Sequence, residues 1–376
     1  MKNIKNEKNI KDIKNVMVTV LFIVFITGFM LANILLPDSE FSYSERRRLT
    51  AFPEYSTEEF FSGDFFEEFE KYTLDQFIFR DFFRRIKAYG AYYLMRKKDN
   101  NKIYIVEGNI NKIEYPLNEK SVLHAAEKLN EIYKRYLEGK NVSYAIIPDK
   151  NYFVAAENGY LSIDYDRMQK IMNENIENMR YINLFYALTV DDYYKTDIHW
   201  RQEKITDVAE KLLKEMGNAV EISINQYTKK ELYPFYGSYY GQAALKMEPD
   251  TLIYLTNEVI EKAVVYDYEL KAQSKVYATE KFKGMDSYDV FLSGAKSLIS
   301  ITNPEATTDK ELILFRDSFG SSIAPLLLPC YSKIILVDLR YIATDILGDF
   351  IDFSSKNQDV LFLYNTQIIN NSYMLK

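Results

Sequence analysis

The sequence predicts an α/β fold, a parallel sheet flanked by helices, behind an N-terminal transmembrane helix. Three observations carry this. The C-terminal stretch alternates short apolar strands with helical segments, the pattern of βαβ units and a parallel sheet. Residues 16–36 form an uncharged apolar run of about 21 residues, long enough to cross a bilayer as a helix. The chain is also 47% hydrophobic, which sets it apart from a mainly disordered protein.

The apolar run is closed by Pro37 and preceded by Lys2, Lys5, Lys8, Lys11 and Lys14 against Glu7 and Asp12. That basic flank predicts a cytoplasmic tail at residues 1–15, a signal anchor at 16–36 and an extracytoplasmic remainder, a single-pass protein of the cell membrane. The run exceeds the apolar core of a signal peptide and no A-x-A site follows it, so the anchor is expected to stay uncleaved. Residues 37–99 read as a linker and an aromatic-rich helix. Ser56-Thr57-Glu58-Glu59 is a capping box, and Phe60, Phe61, Phe65, Phe66, Phe69, Tyr72, Phe77, Phe79, Phe82 and Phe83 recur at helical spacing, with Gly63 as a break. This stripe is expected to pack on the main domain.

The main domain is expected over residues 100–376. Strands are predicted at 103–106, 142–148 and 181–184. Helices are predicted at 119–137, 166–179 and 203–216. Residues 219–303 read as a less regular insertion with turns at Gly237, Gly241 and Gly294. Then follow a strand at 311–315, a turn at 316–320, a helix at 321–328, a strand at 333–338, a helix at 345–353 and a strand at 360–364.

Charge and composition narrow the chemistry. A net charge of −7 argues against nucleic acid as a partner. One cysteine, Cys330, means no internal disulfide, and its place at the end of an apolar run suits a buried inert thiol. With two histidines and no metal-binding spacing, no metal site is expected. No phosphate-binding loop or dinucleotide fingerprint occurs, and no cofactor is expected. The 32 tyrosines and 24 phenylalanines are mainly core, with some surplus suited to stacking on sugar rings.

Asp197-Ile198-His199-Trp200 holds one of the two histidines and the only tryptophan. In an extended segment, residues two apart share a face, so Asp197 can orient the His199 imidazole while its other nitrogen acts as a base. Ser318 lies in Arg316-Asp317-Ser318-Phe319-Gly320, just past a strand and at the start of a helix. In an α/β sheet, functional groups collect at that place. By position alone Ser318 reads as a helix N-cap. The Asp197/His199 pair turns the reading toward a nucleophile with its base and orienting carboxylate. His124, mid-helix and without a nearby acid, reads as structural.

Thr196-Asp-Ile-His-Trp200, Phe235-Tyr-Gly-Ser238, Leu314-Phe-Arg-Asp-Ser-Phe-Gly320 and Val337-Asp-Leu-Arg-Tyr341, in this order, resemble the DHHW proteins. These are similar to the alginate O-acetylation proteins AlgJ and AlgX, with an SGNH-hydrolase-like fold. Residues 45–53 and the stretch from Ser62 to Asp81 also match the pattern behind the anchor in this group. The resemblance implies Ser318 as nucleophile, His199 as general base then acid, and Asp197 as orienting carboxylate. It further implies Gly237 and Ser238 as the block adding an oxyanion donor, and Tyr364 or Asn365 as lining the site. One departure is Ile198, where the family's second histidine would stand. The implied activity is O-acetyl transfer through an acetyl-serine onto an exported polysaccharide, with a multi-pass membrane acyltransferase supplying the acetyl group. Two alternatives stay open: a carbohydrate acetylesterase with the same three residues, and a non-catalytic glycan-binding subunit of a polysaccharide export complex.

Overall fold

The computed structural model describes the backbone of residues 2–376 and side chains from residue 12 onward. It divides into two units, residues 1–90 and 91–376.

The first unit is helical: α1 (Lys2–Leu35), α2 (Thr57–Ser62), α3 (Asp64–Asp75) and α4 (Arg80–Tyr89). Within α1, Asp12–Leu35 is long and apolar enough to cross a membrane, with mean hydropathy 2.5. Ser56 caps α2 by accepting the Glu59 amide at 3.1 Å. Gly63 then separates α2 from α3 at φ +96°, a conformation in which any side chain would be strained. Along the phenylalanine stripe, Phe61, Phe66, Phe79 and Phe82 are all more than half exposed.

The second unit is a three-layer α/β structure. Its eight strands are β1 (Asn141–Ile147), β2 (Arg180–Asn183), β3 (Val264–Asp267), β4 (Ala272–Ser274), β5 (Leu298–Thr302), β6 (Glu311–Arg316), β7 (Lys333–Val337) and β8 (Gln358–Asn365), in the spatial order β4-β3-β5-β7-β6-β8-β1-β2. Strands β7, β6, β8, β1 and β2 are mutually parallel, and β5, β3 and β4 extend the sheet in antiparallel fashion. The sheet is therefore mostly parallel. The stretch that looked like an irregular insertion contributes three of its strands, which are too short to show a period in sequence.

Alternation within strands sends side chains to two cores. From β6, Leu312 and Leu314 enter one cluster, and Ile313 and Phe315 the other. Central strands buried on both faces read as continuous apolar runs, which is why they were visible in the sequence. Helices α5 (Glu119–Ile132) and α6 (Tyr165–Asn175) cover one face. Helices α7 (Thr206–Glu215) and α9 (Gly320–Leu327) cover the other. The short α8 (Ser238–Ala243) lies in the connection between two antiparallel strands, Thr228–Phe235 and Asp250–Thr256. The helix expected at 345–353 is a 3₁₀ segment, Thr344–Asp349. Gly348 lies inside it, and such residues disfavour a longer helix.

Candidate active site

Ser318 follows β6, the central parallel strand, so its hydroxyl emerges at the carboxyl edge of the sheet. The turn is tight. A Cβ on Gly320 would lie 2.5 Å from the Arg316 Cβ. Asp317, buried in the turn, accepts the Phe319 amide at 2.9 Å through Oδ1 and the Asn365 amide at 2.7 Å through Oδ2. Burial raises the Asp317 carboxyl, against the pull of Arg340 and these two amides. The residue capping α9 is Phe319, without a side-chain cap bond. The Ser318 hydroxyl, half-buried, lies instead 2.7 Å from His199 Nε2.

His199 Nδ1 lies 2.6 Å from Asp197 Oδ1, which also accepts the His199 amide at 3.0 Å. Both residues are buried, and the Ser238 amide donates to Asp197 Oδ2. The pair meets on the turn of a small hairpin rather than on one face of an extended strand. Tyr193 and Trp200 bridge across its base, and the Tyr194 amide donates to the His199 carbonyl at 3.1 Å. A carboxylate fixed on one imidazole nitrogen leaves the other free to take a proton from Ser318.

The turn is held from several sides. Asp250 accepts the Lys195 and Thr196 amides at 3.0 and 2.8 Å and the Thr196 hydroxyl at 2.6 Å. Trp200 Nε1 donates to Ser322 Oγ at 2.8 Å, tying the hairpin to α9. Ile198, in place of the family's second histidine, packs half-buried against two hydrophobic clusters.

Two neighbours carried no signal in the sequence. Lys150, just past β1 and 2% exposed, donates to the carbonyls of Ile110, Tyr194, Lys195 and Asp197 at 2.7, 2.8, 3.1 and 3.4 Å. Burial pulls its ammonium down to about 7, against Asp250 and Asp197. Its position beyond a strand's carboxyl end was the one available hint. Tyr288 lies face to face with the His199 ring, centroids 3.8 Å apart and planes 6° from parallel, with its hydroxyl 2.8 Å from Ser322 Oγ. As one tyrosine among 32, it could not be singled out.

The remaining residues named from the sequence are held as follows. The Gly237 amide donates to Thr196 Oγ1 at 2.9 Å and the Ser238 amide to Asp197, so neither amide is an oxyanion donor. Gly237 is required sterically, since a Cβ there would lie 2.3 Å from the Thr196 carbonyl oxygen. The Ser238 hydroxyl is buried without a hydrogen-bond partner among the described residues. Tyr364 is fully buried, with Asp338, Asp317, Arg340 and Arg316 as its charged neighbours. The Asn365 side chain caps a helical turn through the Gln367 amide at 2.9 Å and donates to the Ile147 carbonyl at 3.2 Å, so it is occupied structurally. His124 pairs with Ser372 at 2.9 Å on α5.

No curated protein matches the sequence. Among solved structures, a DHHW family protein from Eubacterium siraeum superposes with TM-score 0.61 at 19% identity, over 73% of this chain and 94% of that one. Bacillus cereus PatB1 with a sulfonyl adduct gives 0.57 at 18%, over 71% and 95%. The O-acetyltransferase domain of Pseudomonas putida AlgJ gives 0.40 at 10% over 72% and 93%, too loose a superposition to bear on this site. These likenesses establish the fold. The profile of the DHHW protein family matches residues 137–337, a span holding Asp197, His199 and Ser318, and the chain belongs to that family.

Proposed function

We propose that this protein is an extracytoplasmic O-acetyltransferase. It moves an acetyl group through an acetyl-serine on Ser318 onto hydroxyls of an exported polysaccharide. The observation that carries this reading is the hydrogen-bonded line from Asp197 through His199 to Ser318. Residues 16–36 act as the anchor, 37–99 as the connection and 100–376 as the catalytic domain, which keeps the site near a multi-pass membrane acyltransferase that supplies acetyl groups.

In the first half-reaction Ser318 Oγ attacks the acetyl carbonyl carbon while His199 Nε2 takes the hydroxyl proton. The Asp197 carboxylate holds Nδ1–H and stabilises the imidazolium that forms. The Ser238 hydroxyl is the donor assigned to the developing oxyanion. As the carbonyl reforms, the leaving group departs with the proton from His199. A sugar hydroxyl then gives its proton to His199 and attacks the acetyl-serine carbonyl, and His199 returns that proton to Ser318 Oγ as the acyl–serine bond breaks. Water in place of the sugar would make the site an acetylesterase.

PatB1 has been solved with a sulfonyl adduct, and sulfonyl fluorides react with activated hydroxyls, so such a reagent is a direct probe. Mass spectrometry should find the adduct on Ser318, and H199A should slow labelling and acetyl-ester turnover by about 10⁴-fold or more. Adding oligosaccharide should divert acetyl from water to sugar. Turnover indifferent to every sugar would favour the esterase. S318A and H199A proteins that leave polymer acetylation at wild-type level would overturn catalysis altogether and favour a glycan-binding subunit.

A further inference from the structure

We propose that residues 77–86 are a second membrane element, an apolar turn and helix immersed in the same lipid leaflet as the C-terminal half of α1. The inference rests on the reading that α1 spans a bilayer. Within the first unit, the turn before α4 packs along α1, well below that helix's C-terminal end. The Ile78 amide donates to Asn33 Oδ1 at 2.9 Å. The Phe77 and Phe83 rings lie 6.0 and 6.1 Å from Phe29. A cleft of about 310 Å³ between the two segments is lined by Val24, Phe25, Gly28, Ile78 and Phe79.

Depth follows from helix rise. The apolar run of about 21 residues is about 31 Å long, which matches a hydrocarbon core of about 30 Å. Phe29 lies about 10 Å and Phe25 about 16 Å from its C-terminal end. Side chains beside them occupy hydrocarbon whenever α1 does. The sequence of α4 fits this placement. Phe79, Phe82, Phe83 and Ile86 share one face and are exposed, while Arg80, Arg84, Arg85 and Lys87 take the other. A phenylalanine face opposite a basic face is the composition of a helix lying in a lipid interface. Arg80 and Arg84 pair with Glu45, away from the aromatic face. Phe79 is 65% exposed at φ +59°, a left-handed conformation that a bulky residue rarely adopts. The occupant of this face is therefore lipid acyl chain.

The test uses the full chain in vesicles of phosphatidylcholine and phosphatidylglycerol, with an environment-sensitive fluorophore on a single cysteine in a C330A background. Probes at F79C and, as a second position on the same face, F82C should show blue-shifted emission. They should also lose iodide quenching and be quenched by acyl-chain spin labels, as V24C in the span is. Y341C, an exposed residue of the second unit, should behave as a probe in water. If V24C reports hydrocarbon while F79C and F82C report water, the proposal is overturned and the anchor stands. If V24C also reports water, the spanning reading falls and the proposal with it. Protection from iodide without quenching by acyl-chain labels would mean a protein partner covers the face, which also overturns the lipid assignment.

Discussion

Tyr288 offers the sharpest test of how the site is held. Its ring covers the His199 imidazole at 3.8 Å, nearly parallel. Stacking of this kind contributes about 0.5–1.5 kcal/mol beyond area burial, present before and during reaction alike. In the proposed reaction, where His199 takes the Ser318 proton, the imidazolium would gain a further cation–π attraction of about 0.5–2 kcal/mol. Only that second part favours the transition state over the ground state. At 1.36 kcal/mol per tenfold, Y288L should lower kcat/KM for a chromogenic acetyl ester by about two- to thirty-fold. Y288F keeps the ring and loses only the bond to Ser322, for about 1 kcal/mol of stability and little rate. Rates should be compared at a temperature where melting curves show all three proteins folded. Y288L turning over like wild type would refute the stacking role. Y288F falling as far as Y288L would assign the effect to the hydroxyl instead.

Other perturbations probe the supports of the turn. G237A would push a methyl group against the Thr196 carbonyl and the Asp197 Cβ, and displacing that backbone should cost about 10²-fold in kcat, measured on the same ester. Lys150 titrates near 7 in the fold and near about 10.4 when unfolded, so between those values the unfolded chain holds the extra proton. Stability should therefore rise with pH across that window by up to about 1.4 kcal/mol per unit, and urea midpoints for K150M should lose that slope. An unchanged slope would place the proton on another group. W200F removes the indole bonds to Ser322 and the Phe319 carbonyl and leaves a cavity at a fully buried site, so stability should fall by about 2–3 kcal/mol, visible as a drop in Tm.

What the sequence disclosed and what it hid divide along physical lines. Strand β6 and the turn after it were legible because a strand buried on both faces is uniformly apolar and its end is marked by charge. His199 stood out because histidine is scarce here. The hairpin carrying it was misjudged as extended, since the bonds that fold it come from Asp250 and Lys150, distant in sequence. The resemblance names Gly237 and Ser238 without saying which of their atoms faces the reaction. Which group an amide faces depends on tertiary docking, and here docking turns them toward Thr196 and Asp197. Tyr288 had no local mark at all. For the phenylalanine stripe, helical spacing reports a face without saying what covers it.

The order of strands in the sheet has a consequence for how the chain comes into being. Strand β1 is completed on one side only by β8, with Asn141 opposite Asp359. A chain synthesised from its N-terminus leaves that edge open while about 200 further residues are made, about 10–40 s at about 5–20 residues per second. Strand β6, which presents Ser318, is likewise flanked by β7 and β8, both later in the chain. No shorter nascent chain can complete the sheet around the site, and an open, largely apolar strand edge invites pairing with a second chain. Nascent protein of this design needs protection from its own kind until the last strand arrives. Substitutions that weaken β8 should accordingly surface as aggregation rather than as a slow enzyme.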